Sequence, residues 1–477
     1  MVMPTIDPSI QAIIDELRER LSIVEEENAK LRKIVEEQAR KIEEQARIIE
    51  EWKRGHRTRS RPNSRKKRKA GQKKKPGRAK GHDGSHREIP DKIDKEVPRT
   101  KEACDDCHGA LVPTGNIEEV VIENVIPARV EVEKNILFEY LCPGCGKIHW
   151  SELPPEYGDK PLPGTSKLGP GALGLALNLR YDMRLSFHKI AEYFERHVGL
   201  KITPSGVYQM LERAARRTKT VSEEILERAL MDAWLNMDET TWWQDGNKLW
   251  AWLMANLGLS YFHFDKSRGH KVIEKLLCEL DEDGNVIAPY EGTVVSDFMG
   301  AYRTCDWMVH QFCWIHLLRD ADKALEMALD ERIEKFADTL HRIYADALVA
   351  QSTGDETKQR GIRIRLGRVI SDTELGEHPD VSRLQARCLE EFHGLLHFMS
   401  DPDIPAHNNG GELAARALVV MRKVIGGTRS ARGTEVHAHF MSTAQTAHKQ
   451  GIDHANFIID VLAAQHSGKP PPSIFES

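Results

Sequence analysis

Residues 234–258, WLNMDETTWWQDGNKLWAWLMANLG, carry the strongest structural signal in the chain. Two apolar runs flank the dipeptide Asp245-Gly246, which favours the two-residue turn of a β-hairpin. The sequence therefore predicts two antiparallel strands joined at this turn. The next apolar stretch, LSYFHFDKSRG at residues 259–269, predicts a third strand.

The following segments extend the pattern to a larger sheet. HKVIEKLL (270–277) predicts a helix, GTVVSDFMGAY (292–302) an apolar strand that ends at Ser296-Asp297, and HQFCWIH (310–316) a fifth strand. Three strands, a helix and a fourth strand form the opening order of a ribonuclease-H-like mixed sheet. In that arrangement Asp238 and Asp297 would lie side by side at the mouth of the sheet. Alternatively, each aspartate simply caps the turn after its strand.

A later segment, HNNGGELAARALVVMRKVIGG (407–427), predicts a helix capped by Asn408 or Asn409, with Glu412 on its first turn. Cations follow this acid, and they suit the phosphates of a DNA end. An amphipathic helix with a solvated basic face is the alternative. The candidate DNA-binding cations of this region are Arg416, Arg422, Lys423 and Arg429.

Length and composition indicate several domains and a sizeable core, because the chain has 477 residues of which 40% are hydrophobic. The N-terminus lacks the pattern of a signal peptide, and no apolar stretch reaches the roughly 18 residues of a spanning helix. We therefore expect a cytoplasmic protein without a membrane segment. The 8 cysteines do not suggest a disulfide framework, and two C-x-x-C pairs point to a metal in a reducing compartment.

The positive charge is concentrated in one segment. Between Lys53 and Lys80 there are fifteen Lys and Arg residues and no acid, whereas the whole chain has a net charge of -5. Gly, Pro and Ser among these charges predict a disordered arm over residues 53–98, which would bind a polyanion by counterion release. A solvated linker is the alternative. The most basic run of the arm comprises Arg65, Lys66, Lys67 and Arg68.

Upstream of this arm, residues 10–52 carry a heptad repeat of apolar residues with only three polar interruptions. This repeat predicts a coiled coil over residues 1–52, and Asn28 at an a site favours a parallel pair. We therefore expect a homo-oligomer. A long amphipathic helix packed on its own chain is the alternative.

Two cysteine pairs follow the arm and predict a zinc ribbon over residues 99–155. Paired thiolates on tight turns can close a tetrahedral Zn²⁺ site, and the residues between the pairs alternate as strands do. Unrelated turns are the alternative, with His149 as a substitute ligand. A role in structure or in positioning DNA is expected, because four protein ligands leave no open coordination position. The expected zinc ligands are Cys104, Cys107, Cys142 and Cys145.

Residues 185–217, within a region that spans 168–230, have helix-turn-helix spacing. A first helix ends at Gly199, and a second is capped by Thr203 with Pro204 at its first position. Tyr208 and Gln209 would then lie near the start of a DNA-recognition helix. Two ordinary packed helices are the alternative.

Four motifs together resemble the bacterial insertion-sequence-66-type DDE transposases: MDETTWW, VVSDFMGAY, CWIHLLRD and NNGGELAARALVVMRKVIGGTRSARG, in this order. The resemblance spans nearly the whole chain. It implies a ribonuclease-H-like catalytic core at 231–465. Together with the coiled coil, the zinc ribbon and the helix-turn-helix predicted above, this core makes a multidomain α/β protein. A helical insertion would occupy about 317–405, and residues 466–477 would form a tail.

By the same resemblance, Asp238, Asp297 and Glu412 form an acidic triad that holds two Mg²⁺ or Mn²⁺ ions, with Asp238 bridging them. Two such ions can activate water and stabilise the leaving oxygen of a phosphodiester. The implied function is binding of terminal inverted repeats, strand cleavage and strand transfer into target DNA. Double-stranded DNA is the implied partner, and the resemblance admits small accessory proteins of the same element.

The chain departs from the family pattern N-N-x-A-E-R at Gly411 and Leu413. The glycines predict a weaker helix start, and the missing arginine removes one phosphate contact. Cys313 and His316 form either a metal pair or core packing. Of Trp242 and Trp243, alternation along a strand should bury one.

Two other functional classes are compatible with these motifs. One is a non-catalytic DNA-binding regulator whose acids are structural, and the other is a ribonuclease-H-like nuclease without strand transfer. The long N-terminal apparatus for recognising DNA favours a transposase over the nuclease.

Overall fold

The computed structural model describes residues 129–158, 167–327 and 330–476, with a few isolated residues before them. The chain divides into two units, Met1–Ile122 and Glu123–Ser477, and almost all described residues belong to the second. Three predicted features lie outside the described residues: the coiled coil, the basic run of Arg65, Lys66, Lys67 and Arg68, and the first cysteine pair, Cys104 and Cys107.

The second unit begins with a short antiparallel hairpin. Strands β1 (Glu139–Leu141) and β2 (Ile148–Trp150) pair with Tyr140 opposite His149. The turn between them carries Cys142 and Cys145. A 3-10 turn, Pro155–Tyr157, follows.

Four helices come next. They are α1 (Pro170–Leu177), α2 (Phe187–Tyr193), α3 (Pro204–Arg217) and α4 (Lys219–Met231). Gly199 adopts a φ of 77°, and the Thr203 hydroxyl accepts a hydrogen bond from the amide of Gly206, so α2 and α3 are separated and capped as predicted. The apolar side of α3 joins the main hydrophobic core.

A five-stranded mixed sheet forms the centre of this unit. Its strands lie in the order β5 (Ser260–Asp265), β4 (Asn247–Ala255), β3 (Trp234–Gln244), β8 (Thr293–Ser296) and β9 (Val309–Phe312). Strand β3 is antiparallel to β4 and parallel to β8, and β8 is parallel to β9. This arrangement fits a ribonuclease-H-like core. The other elements of this region are α5 (His270–Leu277), β6 (Cys278–Leu280), β7 (Val286–Pro289) and α6 (Gly300–Arg303).

The β3–β4 hairpin forms as predicted. Asp245 and Gly246 both have positive φ, 49° and 79°, which are the torsions of a type I′ turn that matches the twist of the flanking strands. The β6–β7 hairpin was not expected from the sequence.

The predicted fifth strand is wrong beyond Phe312. Helix α7 (Trp314–Met327) begins there, because Trp314, Leu317 and Ala321 recur at helical spacing and are buried. The motif CWIH therefore spans a strand end and a helix start, and His316 lies on the helix.

Helix α7 and the helices that follow it up to Ser400 pack around a second hydrophobic core, which reaches the sheet at Val295 and Phe312. The amide of Trp314, at the start of this region, donates a hydrogen bond of 3.0 Å to the carbonyl of Ala406 near its end. The elements are α8 (Glu331–Thr353), α9 (Glu356–Ile370), α10 (Thr373–Gly376), α11 (Pro379–Glu390), α12 (Phe392–Leu396) and a 3-10 turn at His397–Ser400.

Three helices complete the chain: α13 (Asn409–Ile425), α14 (Ala431–Gln450) and α15 (His454–His466). Helix α13 packs on β3 and β4. Helix α14 covers the edge strand β5, where the hydroxyls of Ser442 and Thr446 accept hydrogen bonds from the amides of Phe262 and Ser260. Side chains of α14 thus satisfy an edge that would otherwise be open for pairing. Among the described helices, none is long and apolar enough to cross a membrane.

Candidate active site

Asp238 and Asp297 occupy equivalent positions on adjacent parallel strands. The register pairs Asn236 on β3 with Val295 on β8, and each aspartate follows two residues later in its own strand direction. Asp238 lies within β3 and Asp297 directly follows β8, so this parallel register gives the two acids neighbouring positions in the sheet. The register is compatible with the side-by-side arrangement expected from the sequence, although β3 continues beyond Asp238 to Gln244.

The carboxyl group of Asp238 is largely enclosed. Its Oδ1 atom accepts a hydrogen bond of 2.8 Å from the amide of Glu239. Burial is the main cause that raises the pKa of Asp238 to about 7; the negative charges of Glu239, Asp297 and Glu412 add to it, and the hydrogen bond from the amide of Glu239 opposes it. The acids therefore repel one another across a site that favours a positive charge.

Asp297 also has a local structural contact. Its Oδ1 atom accepts a hydrogen bond of 2.8 Å from the amide of Met299, which closes the turn that leads into α6. Capping of this turn, the alternative role expected from the sequence, therefore accounts for one carboxylate oxygen of Asp297. It does not account for the register that places this residue beside Asp238.

Glu412 lies in the first turn of α13, as predicted. Asn408 is the N-cap residue of α13, as predicted, but its side chain forms no capping hydrogen bond; its side-chain amide instead donates a hydrogen bond of 2.7 Å to the carbonyl of Met237. The carbonyl of β3 takes this side chain because the helix start lies directly against the strand. Asn408 therefore ties the segment that carries Glu412 to the strand that carries Asp238.

The two glycines before Glu412 permit this close approach. A β-carbon at Gly411 would lie 3.1 Å from the β-carbon of Asp238 and 2.8 Å from Oδ1 of Asn408, and one at Gly410 would collide with the side chain of Asn236. The glycines reduce helix propensity, as expected from the sequence. Their lack of a side chain, however, allows α13 to pack closely on β3.

Two nitrogen-bearing side chains of α7, a histidine and an arginine, approach Glu412. Nε2 of His316 and a terminal nitrogen of Arg319 each lie 3.8 Å from Oε1 of the glutamate, whose side chain is 34% exposed. The other half of the CWIH motif, Cys313, accepts a 3.1 Å hydrogen bond through Sγ from the amide of Asn408. Both residues of this motif thus contact the segment that carries the third acid.

Within the described residues, no group of three or more His, Cys, Asp and Glu side chains is arranged to hold a metal ion. The donor chemistry of Asp238, Asp297 and Glu412 nevertheless fits Mg²⁺ or Mn²⁺, which prefer carboxylate oxygens. The raised pKa of Asp238 is the observation that supports this fit, because a nearby cation would relieve the repulsion among the acids.

Glu239 is an acid that the sequence analysis did not single out. Its side chain is only 2% exposed, and it forms an ion pair of 2.6 Å with Arg268. The hydroxyl of Tyr302 donates a hydrogen bond of 3.1 Å to its other carboxylate oxygen. Alternation along β3 directs Glu239 to the face opposite Asp238. The sequence does carry one sign of this role, because Glu239 continues the alternation of the apolar residues Leu235 and Met237 along the strand.

The described half of the predicted zinc ribbon has a well-formed turn. The amide of Cys142 donates a hydrogen bond to the carbonyl of Lys147, and the amide of Gly146 donates one to the carbonyl of Cys142. Hydrogen bonds from the backbone of Cys145 and Gly144 lower the pKa of the Cys142 thiol, which favours the thiolate that binds metal. His149 lies on β2, opposite Tyr140.

The candidate DNA-contacting residues differ in exposure. On α3, Gln209 is exposed, whereas Tyr208 is partly buried and packs edge-on against Phe187 with ring centroids 5.7 Å apart. Arg213 and Arg216 are exposed on the same helix and were not singled out from the sequence. They lie four and seven residues after Gln209, so they share its side of the helix.

The cations after Glu412 are also of two kinds. Arg416, Lys423 and Arg429 are exposed. Arg422 instead donates hydrogen bonds to the carbonyl and the hydroxyl of Thr241 on β3, so it anchors α13 to the sheet. Of the two tryptophans, Trp242 is fully buried and Trp243 is 44% exposed, as the alternation predicted.

The family model described as "Transposase IS66 family" matches residues 165–436 of this chain. This is more than half of its length. The chain belongs to the IS66 transposase family. The match begins before α1, ends within α14 and includes Asp238, Asp297 and Glu412 of this IS66 family member. A comparison with curated proteins gives no match.

Proposed function

We propose that this IS66 family protein is a DNA transposase that binds the terminal inverted repeats of an insertion sequence. It cleaves the element ends in a reaction that depends on divalent metal, and it transfers the strand into target DNA. The observation that carries this proposal is the matched placement of Asp238 and Asp297 on parallel strands, with the helix of Glu412 packed against the first of them.

In this proposal Asp238, Asp297 and Glu412 hold two Mg²⁺ or Mn²⁺ ions, which supply a nucleophile at neutral pH and charge for the anionic transition state. The chain supplies the framework. Asn408 and Cys313 fix the start of α13, and Gly411 allows this helix to pack closely against Asp238. The exposed cations after Glu412 bind phosphates of the DNA end, which positions the scissile bond without reading its sequence.

The regions before the core complete the proposed function. Cys142 and Cys145 bind Zn²⁺ together with Cys104 and Cys107, which stabilises a small domain that positions DNA. The basic arm and α3 bind double-stranded DNA, and the coiled coil joins two or more copies. A protein of this kind works in the bacterial cytoplasm on the nucleoid, with or without small accessory proteins.

The test uses the full chain and a labelled duplex that carries the DNA ends flanking the gene. Wild type, Asp238→Asn, Asp297→Asn and Glu412→Gln are compared in Mg²⁺ and in EDTA. Glu326→Gln is the matched control, because Glu326 is an exposed acid on α7 outside the site. We expect metal-dependent nicking and joining from the wild type and the control. Each triad variant should bind DNA and fail at both steps.

The other functional classes give different outcomes. Binding without cleavage by every protein would identify a regulator and refute catalysis. Cleavage that requires metal and the triad, without a joined product, would identify a nuclease. Cleavage that survives all three substitutions would refute the assignment of the triad.

A further inference from the structure

Helix α9 has an unusual distribution of charge. It runs from Glu356 to Ile370 with the sequence ETKQRGIRIRLGRVI, which has five cations and one acid. Its buried face, which includes Ile362 and Leu366, belongs to the second core. All five cations are exposed: Lys358, Arg360, Arg363, Arg365 and Arg368.

Two of these cations have acidic partners. Lys358 lies 3.4 Å from Asp355, and Arg365 lies 2.6 Å from Asp346 on α8. Arg360, Arg363 and Arg368 form no ion pair with any part of the chain that the structure describes. Three arginines thus concentrate positive charge on one exposed helix face.

Two glycines lie among these arginines. Gly361 and Gly367 are in the helix interior, where glycine is among the least favourable residues. A β-carbon at either position would meet nothing within 4 Å, and neither has a positive φ. The described packing therefore does not require glycine at these positions. A bare helix surface does allow a large ligand to approach the backbone closely.

We propose that this exposed face of α9 binds the sugar–phosphate backbone of double-stranded DNA, with Arg360, Arg363 and Arg368 contacting phosphates. This inference rests on the proposed function, which supplies DNA as the partner. Arginine presents planar, forked donors that suit phosphate oxygens. Eight residues separate Arg360 from Arg368, which is about 12 Å along a helix. That distance is close to the width of the major groove of B-DNA, about 12 Å.

The first part of the test removes the positive charge of the three arginines. The full chain with Arg360→Gln, Arg363→Gln and Arg368→Gln is compared with wild type for affinity to a fluorescent DNA duplex between about 50 and 200 mM salt. The matched control removes three exposed cations elsewhere, with Lys275→Gln, Arg383→Gln and Lys469→Gln. Both triple variants change the net charge equally.

We expect the α9 variant to bind at least about tenfold more weakly near 0.1 M salt. The slope of log K against log salt should fall by about 2.7, because each lost phosphate contact removes about 0.9. The control should remain within about twofold of wild type. Equal losses in both variants, or no loss in the α9 variant, would overturn the proposal.

The glycines provide a second, independent measurement. Gly361→Gln with Gly367→Gln keeps the net charge and adds two good helix formers, so the melting temperature should hold or rise. DNA affinity should nevertheless fall, because the side chains obstruct the approach. Higher thermal stability with unchanged affinity would show that α9 does not contact DNA.

The experiments distinguish failure of this surface assignment from failure of the proposed function. If the wild type cleaves and joins DNA while the α9 variants bind as tightly as wild type, only the assignment of this surface fails. If the wild type does not bind DNA at all, both proposals fail.

Discussion

The backbone amide of Asn408 donates a hydrogen bond of 3.1 Å to the Sγ atom of Cys313. Cys313 lies at the end of β9, and Asn408 immediately precedes the helix that carries Glu412. A buried thiol thus joins a sheet edge to the segment of the third acid. The sequence is compatible with either a metal pair or core packing for Cys313, and the structure places the residue in the core with this specific contact.

Replacing Cys313 by alanine should therefore affect more than packing. The amide of Asn408 would lose its partner in a buried position, which costs about 1–3 kcal/mol. We expect a lower free energy of unfolding in urea, together with a loss of DNA cleavage as the start of α13 shifts. Cys388→Ala is the control, because Cys388 is equally buried in the second core, away from the triad. Equal loss of cleavage in both variants would contradict this role of the thiol.

Asp238→Asn should abolish cleavage and stabilise the metal-free protein at alkaline pH. The folded-state pKa of Asp238, about 7, lies above its ordinary value of 3.8, so the wild type loses stability as the pH rises from about 4 to about 7. The shift corresponds to at most about 4 kcal/mol.

Thermal unfolding in EDTA at pH 5 and pH 8 tests this prediction. The advantage of Asp238→Asn over wild type should be larger at pH 8. Added Mg²⁺ should raise the melting temperature of the wild type more than that of the variant. A variant that is less stable than wild type at pH 8 would mean that the carboxylate is structurally required.

Arg268→Ala should destabilise the fold by about 1–3 kcal/mol, because it leaves the buried carboxylate of Glu239 without its charged partner. Combining it with Glu239→Gln should restore part of this loss, since the amide carries no charge. Arg365→Ala is the comparison, because its ion pair with Asp346 is exposed and should contribute no more than about 1 kcal/mol. If the losses in free energy of unfolding caused by the two substitutions simply add, the two side chains do not stabilise the fold through their ion pair.

Acid should destabilise the protein through three buried histidines on α14 and α15. Burial lowers the pKa of His439 and His454 to about 3, and it lowers that of His437 well below the ordinary value. These groups stay neutral in the folded chain and charge when it unfolds. Stability is therefore complete above about pH 6.5 and falls as the pH is lowered toward 3.

His437 provides the variant for this test, because it stacks on Trp242 with ring centroids 4.7 Å apart and has no hydrogen-bond partner in the described structure. His437→Phe should keep the stacking and reduce the loss of stability between pH 6.5 and pH 5 by up to about 1.4 kcal/mol per pH unit. His188→Phe, at an exposed position, should leave the pH dependence unchanged. Identical pH profiles for both variants would count against buried His437 as a source of acid sensitivity.

Local signals in the sequence were sufficient for much of the sheet and for the two aspartates. The Asp245-Gly246 turn fixes its hairpin through the torsions it requires, and a strand followed by Asp297 has an equivalent in the strand that carries Asp238. These features depend on residues close together in the chain, which is why the pattern revealed them.

The rest depends on contacts between distant residues. Asn408 is a good helix cap by residue type, but the carbonyl of Met237 on another element takes its side chain. Glu239 acquires its role only when Arg268 and Tyr302 fold over the same strand face. Neither contact has a periodicity or spacing that a single sequence could reveal.

The hydrogen bond between Trp314 and Ala406 has a consequence for evolution. It places the two ends of the helical segment between β9 and α13 next to each other, and the hydrophobic core of this segment also includes Val295 and Phe312 of the sheet. We therefore expect changes of length inside the segment to be tolerated where they leave this hydrogen bond and these two sheet contacts in place.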